Sequence, residues 1–180
     1  MNVKDPSGGV NTARVGKISD TDYSVSCDIY CNFRPALSAD GYERVGIFVR
    51  DDGNGIFEGT NGAGTIRGNN YSLTWDSNNG RVQCLKTVNG VPSDLLGSPM
   101  FVASSGWRTF GIEVVGSSLT FKIDGLQILN AVDSFRAAGQ FGIGFHEYFI
   151  TNANLLGTYA DNFSATTLAS SKVPDWVLYQ

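Results

Sequence analysis

Apolar and polar residues alternate through most of this chain. In 23–33 (YSVSCDIYCNF), Tyr23, Val25, Cys27, Ile29, Cys31 and Phe33 fall on one side, with Asp28, Tyr30 and Asn32 on the other. The same period of two runs through 43–51 (ERVGIFVRD), 71–77 (YSLTWDS), 81–88 (RVQCLKTV) and 107–116 (WRTFGIEVVG). It continues through 118–125 (SLTFKIDG), 126–131 (LQILNA), 140–149 (QFGIGFHEYF) and 158–168 (TYADNFSATTL). Successive side chains of a strand leave opposite faces of the pleat, so this rhythm predicts half-buried strands. Turn chemistry separates them at 76–81 (DSNNGR), 88–94 (VNGVPSD), 115–118 (VGSS) and 123–127 (IDGLQ). Helical periodicity is absent, apart from 133–139 (DSFRAAG), which is long enough for one turn. Many short strands at hairpin spacing predict an all-β, antiparallel two-sheet jelly-roll sandwich, one domain over residues 1–180. The Gly/Asn-rich stretch 51–70 and the stretch 150–158 break the rhythm and read as long loops, which often carry function. The tail 172–180 (KVPDWVLYQ) reads as an edge strand or the start of a linker.

Composition narrows the function classes. With 180 residues, 42% hydrophobic and 17% charged, the chain can bury a sizeable core. Its 13 basic and 17 acidic residues give −4, with no basic block, which excludes a nucleic-acid surface. No apolar run approaches a membrane span. The start, MNVKDPSGGV, lacks an apolar signal region, which leaves a cytoplasmic protein or a piece of a longer secreted chain. Cys27 and Cys31 share a strand face about 13 Å apart, too far for a mutual disulfide. Either can reach Cys84 in principle, but buried free thiols are the expectation, and three scattered Cys with one His do not make a zinc site.

The order of motifs resembles a known family. VGIFVRDDGNG, YSLTWDSNNGRVQCLKTVNGV, GWRTFGIEVVGSSLTFKIDGLQIL, GQFGIGF and GTYADNFSA follow one another over residues 20–168. That order is similar to the laminin-G-like branch of the concanavalin A-like lectin/glucanase superfamily, nearest to thrombospondin C-terminal-like modules attached to bacterial carbohydrate-active enzymes. The resemblance implies two antiparallel sheets, one of them concave and ligand-bearing, with Trp107 packed inside. It also implies a structural calcium ion, held by an Asp of the closing strand and groups near the N-terminus. In this chain that Asp is Asp161, with Asp5, Asp20 or Asp22 contributing; Asp161, Asp20 and Asp22 are the predicted metal ligands. The alternation adds that Tyr159, Asp161 and Phe163 share a side, where a carboxylate among aromatics needs a cation or several donors. The second acidic stretch, 51–55 (DDGNG), lacks the downstream Glu spacing of a calcium loop and reads as a turn.

Glycoside hydrolysis needs paired carboxylates. The laminarinase-type members of the superfamily place them on one strand as Glu-x-Asp-x-(x)-Glu. Here Glu43, Glu58, Glu113 and Glu147 are followed two residues on by Val45, Thr60, Val115 and Phe149, so that signature is missing. Acids from separate strands (Asp28, Asp76 and Glu147) remain as raw material, and no Gly-x-Ser-x-Gly elbow is present. No catalytic residue is assigned. If Phe141, Ile143 and Phe145 fill the core, then Gly142, Gly144, His146 and Tyr148 face the other way, and the two glycines leave a trough. The same logic turns Gly46, Phe48 and Arg50 outward on 43–51, and Asp28, Tyr30 and Asn32 on 23–33. Aromatic rings stack on pyranose faces while polar side chains direct hydrogen bonds to hydroxyls. Tyr30, Phe48, Arg50, His146 and Tyr148 are therefore the predicted ligand-binding residues. The expectation is a non-catalytic carbohydrate-binding module, secreted or at the cell surface within a longer chain, that tethers catalytic or surface domains to a polysaccharide. The alternatives are an adhesion module binding protein, or a hydrolase or lyase in which His146, Tyr148 and Arg50 meet in a cleft.

Overall fold

The computed structural model describes residues 9–33, 41–54, 68–77, 79–95, 105–149 and 159–168, with the backbone alone for 9–11, 41–43 and 146–149. The alternating segments form strands. In chain order they are β1 (Gly9–Val15), β2 (Tyr23–Cys31), β3 (Gly41–Asp51), β4 (Asn70–Asp76), β5 (Arg81–Val88), β6 (Val91–Asp94), β7 (Gly106–Val115), β8 (Ser118–Ile123), β9 (Leu126–Val132), β10 (Gln140–Phe149) and β11 (Tyr159–Thr167). They build two antiparallel sheets, β1-β10-β3-β4-β5-β6 (sheet A) and β11-β2-β7-β8-β9 (sheet B). No helix occurs among the described residues, 133–139 included, and none is long and apolar enough to cross a membrane. The loop residues 55–67 and 150–158 and the tail 172–180 lie outside the described residues.

The core lies between the sheets. Val45, Ile47, Val49, Tyr71, Leu73 and Trp75 of sheet A pack with Tyr23, Val25, Ile29, Phe110, Ile112, Val114 and Phe121 of sheet B. Each large apolar side chain removed from water contributes about 1.5–3 kcal/mol. Cys27, Cys31 and Cys84 are free and buried, and burial pushes the Cys27 thiol up to about 11 and Cys31 up to about 12. The hairpin turns follow their chemistry: Asn89–Gly90 and Asp124–Gly125 have φ of 50° and 79°, and 51° and 78°, the paired positive values of a type I′ turn.

Two strands escape the pattern. β1 carries only Val10, Ala13 and Val15 as apolar residues, without alternation, and it closes an edge of sheet A where one partner, β10, suffices. β6 is four residues long and includes Pro92, which lacks an N–H and is tolerated because β6 is an edge strand. Two strand-interior glycines answer to strand packing. A Cβ on Gly46 would collide with the Leu73 carbonyl of β4, and one on Gly142 with the Ala13 carbonyl of β1.

Candidate functional site

The face of sheet A turned away from the core is filled at its centre. Phe48 is 0% exposed, and its ring lies over Gly142, with Cζ 2.7 Å from where a Cβ would stand. The Arg14 guanidinium caps the ring 5.9 Å from its centroid and is held by Asp51, Nε to Oδ2 at 2.5 Å. The space that Gly142 leaves is therefore occupied by Phe48, and Ser72 and Thr74 beside it are also buried.

Arg50 differs from its outward expectation. Its φ is 52°, and the β3–β10 register shifts between Gln140 and Gly142, so a bulge reverses the alternation at this point. The guanidinium donates to the Arg136 carbonyl (2.7 Å) and the Gly116 carbonyl, the latter in the β7–β8 turn of sheet B. The Arg50 N–H donates to the Tyr23 hydroxyl (2.8 Å), which donates to the Gly139 carbonyl (3.1 Å); Arg136 Nε donates back to the Arg50 carbonyl (2.7 Å). Arg50, 0% exposed, thus ties the two sheets together at one end. His146 and Tyr148 pair with Arg44 and Tyr42 in the β10–β3 register, and their side chains lie outside the described residues. Arg50 lies level with the start of β10, about 20 Å from His146 at the strand rise, so these two do not share a cleft.

Tyr30 belongs to the other side of the sandwich, because β2 pairs into sheet B. There the register sets it between Tyr159 of β11 and Trp107 of β7. The ring centroids stand 6.3 Å (Tyr30–Tyr159) and 5.6 Å (Tyr30–Trp107) apart, at interplanar angles of 63° and 67°. Trp107 is 53% exposed and Tyr159 39%. The packed-inside expectation for Trp107 is thereby corrected. Phe110, Ile112 and Val114 occupy the core phase of β7, and Trp107 has the opposite parity, with Thr109 and Glu113.

A polar row runs beside the aromatic one. Asp161 and Thr109 flank Asp28 in register. The Thr109 hydroxyl donates to Asp28 Oδ1 (2.6 Å) and Asn162 Nδ2 donates to Oδ2 (2.8 Å), which together hold the Asp28 carboxyl below the usual carboxylate range. Asn162 reaches Asp28 from a bulge in β11, at φ 52°, where the register shifts between Asp161 and Ser164. A depression of ≈ 250 Å³ is lined by Asp28, Trp107, Asp161 and Asn162. Around the edge of the sandwich, where β1 and β11 leave the two sheets unjoined, a more apolar cleft of ≈ 330 Å³ is lined by Ala13, Ile143, Phe145, Phe163 and others.

The three carboxylates expected to hold calcium are not brought together. Asp22 precedes β2 and Asp161 lies opposite Asp28, six residues along, about 20 Å away. Asp20 accepts the Lys17 N–H (2.7 Å) and Asp22 the Gly116 N–H (2.9 Å). Asp161 is exposed and accepts the Asn162 N–H (2.8 Å), while Phe163 packs against the core. These residues do not fit one calcium site, which needs six to eight converging oxygens, and no group of three His, Cys, Asp or Glu among the described residues could hold a metal. In 51–55, Asp51 accepts the Gly53 N–H and Asp52 the Asn54 N–H, as in a turn. Of the acids the sequence offered for hydrolysis, Asp28 and Asp76 lie on different sheets, and the Glu147 side chain lies outside the described residues.

Topology and surface together define a concanavalin A-like jelly roll with an exposed aromatic row on its five-stranded sheet. No protein-family model and no curated protein matches the chain. Among solved structures, the carbohydrate-binding module CBM66 from Bacillus subtilis is similar over 89% of this chain and 96% of its own, at 15% identity and a TM-score of 0.57. Alginate lyase AlyC3 is similar over 85% of this chain and 69% of its own, at 13% identity and a TM-score of 0.54. A glycoside hydrolase family protein from Mycobacterium thermorestibile is similar over 82% and 64%, at 9% identity and a TM-score of 0.51. At these identities what is shared is the fold.

Proposed function

We propose that this chain is a carbohydrate-binding module whose ligand surface is the Tyr159–Tyr30–Trp107 row. The observation that carries the reading is the exposure of Trp107 and Tyr159 on a rigid sheet, in register with Tyr30 and beside Asp28, Asp161 and Asn162. Aromatic faces accept the apolar faces of pyranose rings, and the adjoining carboxylates and amide accept or donate hydrogen bonds at the hydroxyls. The similarity to CBM66 along nearly all of that module's length supports the reading, whereas the lyase and the hydrolase extend well beyond the part they share. A non-catalytic role is supported by the separation of Asp28 from Asp76 and of Arg50 from His146. A shallow site of this kind binds weakly; within a longer secreted chain it would act by raising the local concentration of a linked domain at its polymer.

The test is affinity electrophoresis and calorimetry against a polysaccharide panel, with calcium and again with a chelator. Trp107→Ala and Tyr159→Ala are expected to weaken binding about tenfold to a hundredfold while leaving the thermal transition in place. Binding is expected to survive chelation, because the row is placed by strand pairing and ring contacts. Unchanged affinity in both variants, or a folded protein that binds nothing on the panel, overturns the proposal, and the latter result points to an adhesion surface.

A further inference from the structure

We infer that the polymer bound on this face is uncharged and that polyuronates are rejected, an inference that rests on the glycan-binding reading above. The strands of sheet B carry three acids, Asp28, Glu113 and Asp161, and two cations, Arg108 and Lys122. Both cations are engaged. Arg108 Nη1 lies 2.8 Å from Asp124 Oδ2, and Lys122 Nζ 2.7 Å from Glu113 Oε2. The two acids left without a cation among the described residues are Asp28 and Asp161, and they are the two that line the depression beside Trp107.

Asp28 stays ionised at neutral pH, because the Thr109 hydroxyl and the Asn162 amide both donate to its carboxylate. An ionised carboxylate only accepts hydrogen bonds. Each Asp28 oxygen has one partner among these and a lone pair to spare, and Asp161 Oδ1 takes only a backbone N–H. The site therefore offers acceptors, which suit hydroxyl donors. A sugar carboxylate set down here would face two like charges with no unengaged guanidinium or ammonium of the sheet B strands among the described residues to neutralise it. Such juxtaposition is a repulsive element that discriminates between otherwise similar ligands.

The test takes the neutral polymer that the panel identifies and oxidises its C6 hydroxymethyl groups to carboxylates, keeping ring and linkage. At low ionic strength, oxidation is expected to weaken binding about tenfold, the scale of two like-charge contacts in water. Added salt is expected to return part of that loss by screening. Asp161→Asn, at an exposed position where folding is not at risk, is expected to return part of it without salt. The inference is overturned if the oxidised polymer binds as well as its parent, if neither salt nor Asp161→Asn narrows the gap, or if the panel's own best ligand is a uronate. In each of those cases, loss of binding in Trp107→Ala leaves the glycan-binding face standing. Retained binding in that variant brings down the underlying reading instead.

Discussion

Arg50 shows how one residue can carry both a backbone and a side-chain role. It sits at φ 52°, a left-handed conformation disfavoured outside glycine, and its guanidinium is buried against two carbonyls. Truncating it strands those two carbonyls, while the bond from Arg136 Nε to the Arg50 backbone carbonyl remains. Arg50→Ala is expected to lower unfolding stability by about 3 kcal/mol, read as a shifted urea midpoint with an unchanged slope. Arg50→Lys recovers little, because an ammonium lacks the two-armed geometry that spans both carbonyls. The strand containing Arg50 was legible in the sequence; its inward turn was not, because a bulge leaves no mark in the alternation it interrupts. Trp107 is the opposite case. Its parity within 107–116 already set it with Thr109 and Glu113 and against Phe110 and Ile112, so the residues themselves marked it as exposed where the resemblance implied burial.

At the level of elements, the bulges and the strand glycines shape both outer faces. The β11 bulge lets Phe163 turn to the core while Asp161 and Asn162 remain beside Asp28. Gly142 admits β1 on one side and the Phe48 ring on the other. A methyl group there meets backbone that cannot move aside without parting β1 from β10. Gly142→Ala is expected to cost about 3 kcal/mol or more, or to yield insoluble protein, whereas alanine at Gly125, whose Cβ would meet nothing, costs only its turn strain. Comparative urea unfolding of the two variants checks this. The sequence presented Gly142, with Gly144, as a gap on a surface; the structure makes Gly142, like Gly46, a point of close strand approach.

For the whole molecule, acid is the informative variable. Asp28 is held low by Thr109 and Asn162. In Asp133, burial pushes the pKa up, but hydrogen bonds from Lys86, the Phe135 N–H and Tyr71 outweigh it and leave it low. Asp52 is likewise lowered against its burial by Asn69, the Asn54 N–H and Arg136. A carboxylate whose folded pKa lies below its unfolded value of about 4 stabilises the fold above that pH, and the contribution is lost as pH falls through the folded value. Stability is therefore expected to be level from neutrality down to about pH 5 and to drop below about pH 4. Asp133→Asn should flatten that drop, as measured by urea unfolding across the range. Thr109→Val should do the same more weakly, because Asp28 is largely solvated.

The sequence by itself located the described strands other than β1 and β6, the hairpin turns between them and, up to each bulge, which residues of a strand share a face. These are local consequences of a period of two and of the conformational freedom of Asn and Gly. Only the tertiary structure decided which sheet each strand joins. Alternation says that Tyr30 and Phe48 both point away from the core, and both do. Yet β2 and β3 lie in opposite sheets, so the single predicted face divides into a filled one around Phe48 and an open one around Tyr30, Trp107 and Tyr159. That division depends on pairing between strands far apart in the chain, such as β2 with β11 and β3 with β10, which is fixed by the packing of the whole core rather than by any segment of the sequence.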